Sequence, residues 1–334
     1  MEEINMQALC VTGVGQPKDV MVLQERELPQ PGPGELQIKV AAAGMGLPDV
    51  LMCKGEYAFS PELPFTPGQE VAGVVTAVGE GCTTQVGERV MGVTSFYTGN
   101  GSYAQYCIAP ESTLYPMTQG MSAVEAAAFC IPFHTAIVSL KLRAALQADE
   151  VLLVHGGAGG SGSAAIQLGK ALGAQVIATA SSEQKLDYCR SQGADHCVNY
   201  REQDFSARVL ELTAGRGADV IFDPVGGEIF ERSVSCTASG GRVLAVGFAS
   251  GRWGTVDTEA MVMRNCSTMG VFAGAYGHEE MLVCHEELLK LYTAGKLSLQ
   301  PEVAQGLESV VEYLTRLKRR EIQGKVVVAI EEGF

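Results

Sequence analysis

The stretch "HGGAGGSG" (155–162) decides how this chain is read. It follows the apolar run "VLLV" (151–154) and opens into "SGSAAIQLGKALG", whose apolar residues recur at helical spacing. A buried strand feeding a glycine-rich turn and then a helix is the local design of a phosphate cradle. Gly156, Gly159 and Gly162 fit G-x-x-G-x-x-G, a variant of the dinucleotide fingerprint. The first glycine allows the tight turn, the second lets the backbone approach a pyrophosphate, and the third lets the helix pack on the strand. A helix starting near Gly160, with Ser161 behind it, points its free N–H groups at the phosphates. A glycine-rich turn by itself also occurs in ordinary strand–helix connections. The preceding strand, the amphipathic helix and a second strand, "AQVIATA", together point to a dinucleotide. No Gly-Lys-Ser/Thr closes the turn, so it is not a P-loop.

The end of that second strand reads the nucleotide. NAD-specific sites place Asp or Glu there, about 20 residues on, to bind the ribose 2′-OH. Here the chain reads "IATASSEQK". Thr179 to Ser182 are small, neutral and in part hydroxyl-bearing. A carboxylate would repel a 2′-phosphate, whereas Ser181, Ser182 and the Lys185 ammonium would bind one. The expected cofactor is NADP(H). Glu183 is the carboxylate that would reverse this if its side chain reached the ribose; the ordinary alternative for Lys185 is a solvated helix position.

Outward from this motif, strands and helices alternate. "EQKLDYCRSQG" is helical, "HCVNY" a short strand, "FSARVLELTAG" helical, "ADVIFDPVG" a strand, "EIFERSVSCTASG" helical and "GRVLAVGF" a strand. Apolar strands alternating with helices predict a parallel α/β sheet covered on both faces. The first third differs: "ELQIKVAAAG", "EVAGVVTAVGEG" and "GERVMGV" read as strands punctuated by Gly and Pro. Between them, Ser122 with Glu125 three residues on has the spacing of a capping box, and a further helix is expected to start around Phe133 after Pro132. The tail offers the helix "EEMLVCHEELLKLYTAGKL", a helical segment around "LESVVEYLTRLKRRE" and a last strand "KVVVAIEE".

With 334 residues, 46% hydrophobic and 19% charged, the chain has the composition of a globular protein of two domains. A net charge of −14 argues against a nucleic-acid or anionic-membrane surface, which need clustered Lys and Arg. The start "MEEINMQALC" lacks the basic and apolar regions of a secretory signal, and no apolar run approaches the ~20 residues of a membrane span. The ten cysteines are scattered without a Cys-x-x-Cys, which fits reduced thiols and a cytoplasmic location.

The blocks "PGPGELQIKVAAAGMGLPDVLMCKGEY", "LPFTPGQEVAGVVTAVGEG", "GSYAQY", "VHGGAGGSGSAAIQLGKALGAQVIATA", "GADHCVNYR" and "GKVVVAI" span nearly the whole chain. Through them the sequence resembles the zinc-independent quinone oxidoreductases of the medium-chain dehydrogenase/reductase superfamily. The resemblance implies an α/β protein: a GroES-like β domain (1–123), a doubly wound Rossmann domain for NADP(H) (124–265), and a C-terminal segment (266–334) returning to the first domain. It implies an active site in the cleft between domains, and a homodimer joined by an edge strand of the cofactor domain, with "GRVLAVGF" and the following segment as candidates.

Zinc alcohol dehydrogenases of the superfamily need a Cys in the segment matching "GMGLPD" and a His in that matching "GQE". Here those segments offer Met45, Gly46 and Leu47, then Gln69, from which a tetrahedral N/S site cannot be built. The structural zinc needs four close Cys, and its segment holds Cys107 alone. His155 and Cys53 are expected in the core rather than as ligands. Without a Lewis acid, the implied chemistry is hydride transfer to an acceptor already electrophilic, a quinone or an α,β-unsaturated carbonyl.

The resemblance also assigns residues. Tyr57 matches a tyrosine that donates a proton in related enoyl-thioester reductases; its plainer role is to line the cleft. Gly46 stands where the family often has an Asn beside the nicotinamide, a departure that weakens the quinone reading or widens the pocket. Asp49 matches and is expected to fix its loop. Thr135 matches a residue near the nicotinamide end of the cofactor and Tyr200 resembles a tyrosine near the adenosine phosphate; Val225, Gly226 and Phe248, in loops at the carboxyl edge of the sheet, are candidate cofactor contacts, with ordinary loop and core packing as the alternative. Gly324 and Lys325 match a tail segment near the adenine-side phosphate in some relatives. The leading activity is an NADPH:quinone oxidoreductase. The rivals are a 2-enoyl (enoyl-thioester or enone) reductase and an NADPH-binding protein without turnover.

Overall fold

The structure, a computed structural model, describes residues 5–331, so residues 1–4 of the N-terminal reading and Glu332 at the end of the last expected strand lie outside it. The chain divides into two compact units, one running to Ile131 and resuming at Leu299, the other Pro132–Ser298.

The first unit opens with an antiparallel pair, β1 (Asn5–Val11) and β2 (Met21–Glu27), joined through the short helix α1 (Pro17–Val20). Then come β3 (Glu35–Met45), α2 (Leu47–Cys53), β4 (Glu70–Val78), β5 (Arg89–Val93), β6 (Tyr106–Pro110) and β7 (Leu114–Pro116). The second half of β3, "AAAGM", is buried on both faces, which is why it reads as a continuous apolar run rather than an alternating one. Gly44 is required there: a Cβ would meet the Ala127 carbonyl oxygen at 2.4 Å. Helix α3 (Ala123–Ala127) starts with the expected capping box, Ser122 Oγ accepting from the Glu125 N–H at 3.2 Å and the Glu125 carboxylate accepting from the Ser122 N–H at 2.9 Å.

Helix α4 (Cys130–Ile137) leads into the second unit and continues as a π-helical turn (Val138–Arg143). There β8 (Val151–Val154), α5 (Gly160–Ala171), β9 (Gln175–Ala180), α6 (Glu183–Ser191), β10 (His196–Asn199), α7 (Phe205–Leu212), β11 (Ala218–Asp223), α8 (Gly227–Ser233), β12 (Thr237–Ala245), α9 (Thr258–Arg264) and β13 (Ser267–Gly270) alternate, before α10 (His278–Thr293). The sheet is parallel throughout, in the order β10-β9-β8-β11-β12-β13. This is a doubly wound Rossmann sheet. Its order reverses between β8 and β11, so the crevice for a ligand opens at the carboxyl end of β8, where the glycine turn begins.

The chain then returns to the first unit as β14 (Glu302–Gln305), α11 (Val310–Lys318) and β15 (Val326–Ala329). β15 pairs antiparallel with the end of β3, completing the sheet β14-β15-β3-β4-β5-β7, with β6 on the first half of β3. The unit is a GroES-like β fold closed by its own C-terminal strands.

Four expectations need correction. The unit boundaries fall at 131/132 and 298/299 rather than at 123/124 and 265/266, because β13 and α10 belong to the second unit. Only the chain from Leu299 returns. Pro132 does not delay a helix to Phe133; it sits in the first turn of α4, where an N–H has no intrahelical acceptor and its loss costs nothing. The helix does not run through "CTASG": Cys236 ends a 3₁₀ turn (Val234–Cys236), β12 starts at Thr237, and a register shift near Gly240 (φ +77) carries the strand past its small residues. "GRVLA" of "GRVLAVGF" lies in an inner strand, the rest follows it as a loop, and β13 is the edge on that side.

Candidate functional site

The glycine turn leaves no room for a side chain at Gly157 or Gly162. The Gly156 φ is +59, a left-handed conformation that glycine adopts without strain. The Gly157 N–H donates to the Thr179 carbonyl at 3.0 Å and the Gly159 N–H to the Gly156 carbonyl at 2.9 Å. Gly162 lies under the turn: a Cβ there would meet the Gly156 oxygen at 2.3 Å. Gly157, which the fingerprint does not single out, is equally constrained, since its Cβ would press Cys189 Sγ at 2.9 Å and Ala178 Cβ at 3.0 Å. Gly159 is different. Its Cβ would meet nothing closer than the Gly156 oxygen at 3.4 Å, so the protein itself does not demand glycine there. It caps α5 with no side-chain bond, and the N–H groups of the first turn, including those of Gly160 and Ser161, face out of the helix end. This open, donor-rich cradle fits a pyrophosphate.

Several of the expected residues lie just beyond the carboxyl ends of β9, β10 and β11. Ser181 and Ser182 follow β9, half-buried, and Ser182 starts α6 without using its hydroxyl as a cap. Lys185 is half-buried in the first turn of α6. Glu183 is exposed and paired with Arg190 at 2.7 Å. Tyr200 follows β10 and donates its N–H to the Ala180 carbonyl at 3.2 Å. Val225 lies beside Gly156, 3.4 Å from where its Cβ would stand. Phe248 stacks on Trp253 with ring centroids 4.6 Å apart. Thr135 is half-buried on α4, its carbonyl accepting from Ser139 Oγ at 2.6 Å.

His155 is a core residue, as expected. Its Nδ1 lies 3.0 Å from Thr179 Oγ1 and its Nε2 2.9 Å from Ser233 Oγ, and burial pushes its pKa down to about 3. The neutral ring thus ties β8, β9 and α8 together beneath the turn. The ten cysteines are free thiols, and burial pushes that of Cys53 up to about 12.

Lys325 lies in the first unit, and its ammonium is paired with the Glu70 carboxylate, which also accepts from the Ile131 N–H at 2.9 Å.

The polar cluster of the first unit lies where β3, α2 and β4 meet. Asp49 is buried and accepts from the Gly46 N–H at 2.9 Å, the Gly68 N–H at 3.1 Å and the Tyr103 hydroxyl at 2.8 Å. Gln69 is buried against Met52 Sδ at 3.8 Å. The Tyr57 ring packs on Phe59 and Phe96, and burial pushes its phenol above the usual tyrosine range against a hydrogen bond from Gln69. Tyr57 therefore carries its proton throughout the neutral range.

Burial also pushes the Asp49 carboxyl up to about 6, against the bonds from Tyr103 and Gly46. An unfolded Asp titrates at about 3.9. The folded state holds the proton more tightly, so the stability this group contributes is full below its unfolded pKa and is lost as pH rises through about 6. In urea unfolding, the stability of wild type minus that of Asp49→Asn should fall between about pH 4 and pH 7, by on the order of 2–3 kcal/mol. Parallel pH profiles would show that the carboxyl is not perturbed.

Sequence comparison agrees with both units. Residues 32–119 match the family described as "Alcohol dehydrogenase GroES-like domain", and residues 160–289 that described as "Zinc-binding dehydrogenase". Quinone oxidoreductase-like protein 2 of Rattus norvegicus is 32% identical over 329 residues, 97% of this chain and 92% of the relative. This chain belongs to the quinone oxidoreductase family of the medium-chain dehydrogenase/reductase superfamily. Among solved members, a Pseudomonas syringae quinone oxidoreductase superimposes with a TM-score of 0.90 at 30% identity, covering 97% of this chain and 99% of that one. A mycobacterial protein complexed with NADPH superimposes at 0.89 and 30% identity, with the same coverage. As a member of this family the chain is an oxidoreductase on a nucleotide-binding fold. Among the described residues, no helix is long and apolar enough to cross a membrane.

Proposed function

We propose that the chain is an NADPH-dependent, zinc-independent reductase that passes hydride to a quinone. The observation that carries the cofactor choice is the end of β9. Ser181 and Ser182 follow β9 and Lys185 lies in the first turn of α6, hydroxyls and an ammonium that suit a 2′-phosphate, while Glu183, a carboxylate that would oppose one, is paired with Arg190. Zinc independence rests on the donor set: Gly46 has no ligand atom, and the Gln69 amide is neither a thiolate nor an imidazole.

Bound nicotinamide supplies a hydride. The chain's own part is to hold it and to manage a proton. The backbone donors of the turn and α5 take the pyrophosphate, and Val225, Gly226 and Phe248 border the other half. Tyr57, held protonated by burial, is the donor to the acceptor oxygen or to the enolate carbon. That phenol also favours the second reading, a 2-enoyl or enone reductase, in which protonation of carbon completes the reaction. Tyr57→Phe should lower turnover at least about tenfold, a floor set below the roughly 100-fold at which general-acid contributions usually begin. Unchanged turnover removes Tyr57 from the chemistry.

The deciding assay follows NADPH and NADH oxidation with an ortho-quinone and an enoyl thioester side by side. Faster NADPH consumption with the quinone supports the proposal. Faster consumption with the thioester moves the enzyme to reductases of activated double bonds. Tight NADPH binding without oxidation leaves a binding protein. A preference for NADH overturns the reading of Ser181, Ser182 and Lys185. We place the contact of a homodimer at the β13 edge, flanked by the exposed Val262, Met263 and Phe272.

A further inference from the structure

We propose that Asp223 is a positioning residue for the nicotinamide half of the cofactor, its buried carboxylate fixing loop 224–227 and, through it, loop 247–252. This rests on the cofactor reading above and adds a residue that the fingerprint does not contain.

Asp223 ends β11, and its side chain is fully buried. One carboxylate oxygen accepts from the Val225 N–H at 2.8 Å and the Gly226 N–H at 3.2 Å; the other also lies 3.2 Å from the Gly226 N–H. The Asp223 carbonyl accepts from the N–H groups of Val246 at 2.9 Å and Gly247 at 3.3 Å. The next two carbonyls continue the lacing: Pro224 accepts from Ala249 at 3.1 Å and Val225 from Ser250 at 2.8 Å. Gly226, at φ +71, is pressed so closely that a Cβ would meet the Arg252 oxygen at 2.8 Å and the Gly247 oxygen at 3.0 Å. Two loops that follow adjacent strands are thus held backbone to backbone, and one carboxylate pins the first of them. In a doubly wound sheet each half binds one mononucleotide. The glycine turn follows β8 in the β8–β10 half. Loops 224–227 and 247–252 belong to the β11–β13 half, which leaves them the nicotinamide end. Loss of the carboxylate strands the buried Gly226 N–H and the half-buried Val225 N–H and frees this pair of loops, while the Gly157–Thr179 and Gly159–Gly156 bonds that shape the glycine turn do not involve Asp223.

The test compares affinities for NADPH and for 2′-phospho-ADP-ribose, which lacks the nicotinamide ring, in wild type, Asp223→Ala and Asp223→Asn. The Asn variant keeps the shape and one acceptor, so it stays informative where the Ala variant fails to fold. The advantage of NADPH over the fragment should shrink about tenfold in the Ala variant and roughly threefold in the Asn variant, with fragment affinity unchanged, as expected for losing charge-assisted bonds. kcat should fall alongside, because hydride transfer depends on the ring's pose. An unchanged ratio in the folded variants, or equal weakening of both ligands, reduces Asp223 to a structural residue and overturns the proposal. Wild-type protein that binds neither ligand overturns the cofactor reading itself.

Discussion

Alanine at Gly159 should leave the protein as stable as wild type and cripple NADPH binding; alanine at Gly162 should damage both. The difference comes from what each Cβ would meet. At Gly159 the backbone is extended, with φ −91 and ψ 171, and the nearest atom is an oxygen at 3.4 Å, so any residue fits the empty protein. The methyl would project where the pyrophosphate must approach the helix end. Displacing a charged group from its backbone donors costs several kcal/mol, so affinity should fall about 100-fold. At Gly162 the methyl meets backbone atoms, the Gly156 oxygen at 2.3 Å and Gly157 Cα at 2.9 Å, and backbone cannot rotate away as a side chain can. α5 would have to lift from the turn, at the ~1–3 kcal/mol typical of overpacking, and the cradle would open with it. Thermal unfolding and fluorescence titration with NADPH check the pair. Gly159→Ala protein that binds NADPH like wild type would remove the pyrophosphate from this turn.

What the sequence made legible was local. The glycine spacing, the short apolar strands and the Ser122–Glu125 box are each set by neighbours within a few residues, and the structure realises them. The parallel sheet followed from repetition of one strand–helix unit. Legibility failed where partners are distant. Thr237 starts the strand because it pairs with Ala218 of β11, and nothing in "CTASG" signals that neighbour. The inner place of β12 depends on β13, a four-residue strand too short to announce itself. Asp223 could have been suspected: an Asp at a strand end before "PVGG" is a natural acceptor for the N–H groups of the following turn. Gly157 carries no such mark, because its constraint comes from Cys189 on another helix.

Lys325 is the clearest such case, and it sets the second large prediction. Its partner Glu70 is 255 residues away in sequence. The Glu70 side chain is 2% exposed and that of Lys325 13%, so neither charge is well solvated. Removing one member of a buried ion pair leaves the other uncompensated, which costs about 3–5 kcal/mol. Lys325→Met should therefore destabilise the protein by that amount in urea unfolding. Adding Glu70→Gln should recover much of the loss, since the amide is neutral and still accepts from the Ile131 N–H. The position matters to the fold because Lys325 leads into β15, the strand that closes the first unit's sheet on the end of β3. A tail that has travelled through the whole second unit is thus fastened by one charge to the start of β4. If Lys325 instead held a cofactor phosphate, the Met variant would keep its stability and lose NADPH affinity, with a shallower salt dependence of binding. The ion pair predicts the opposite: the double variant binds NADPH as wild type does, and the single variant's defect is in folding.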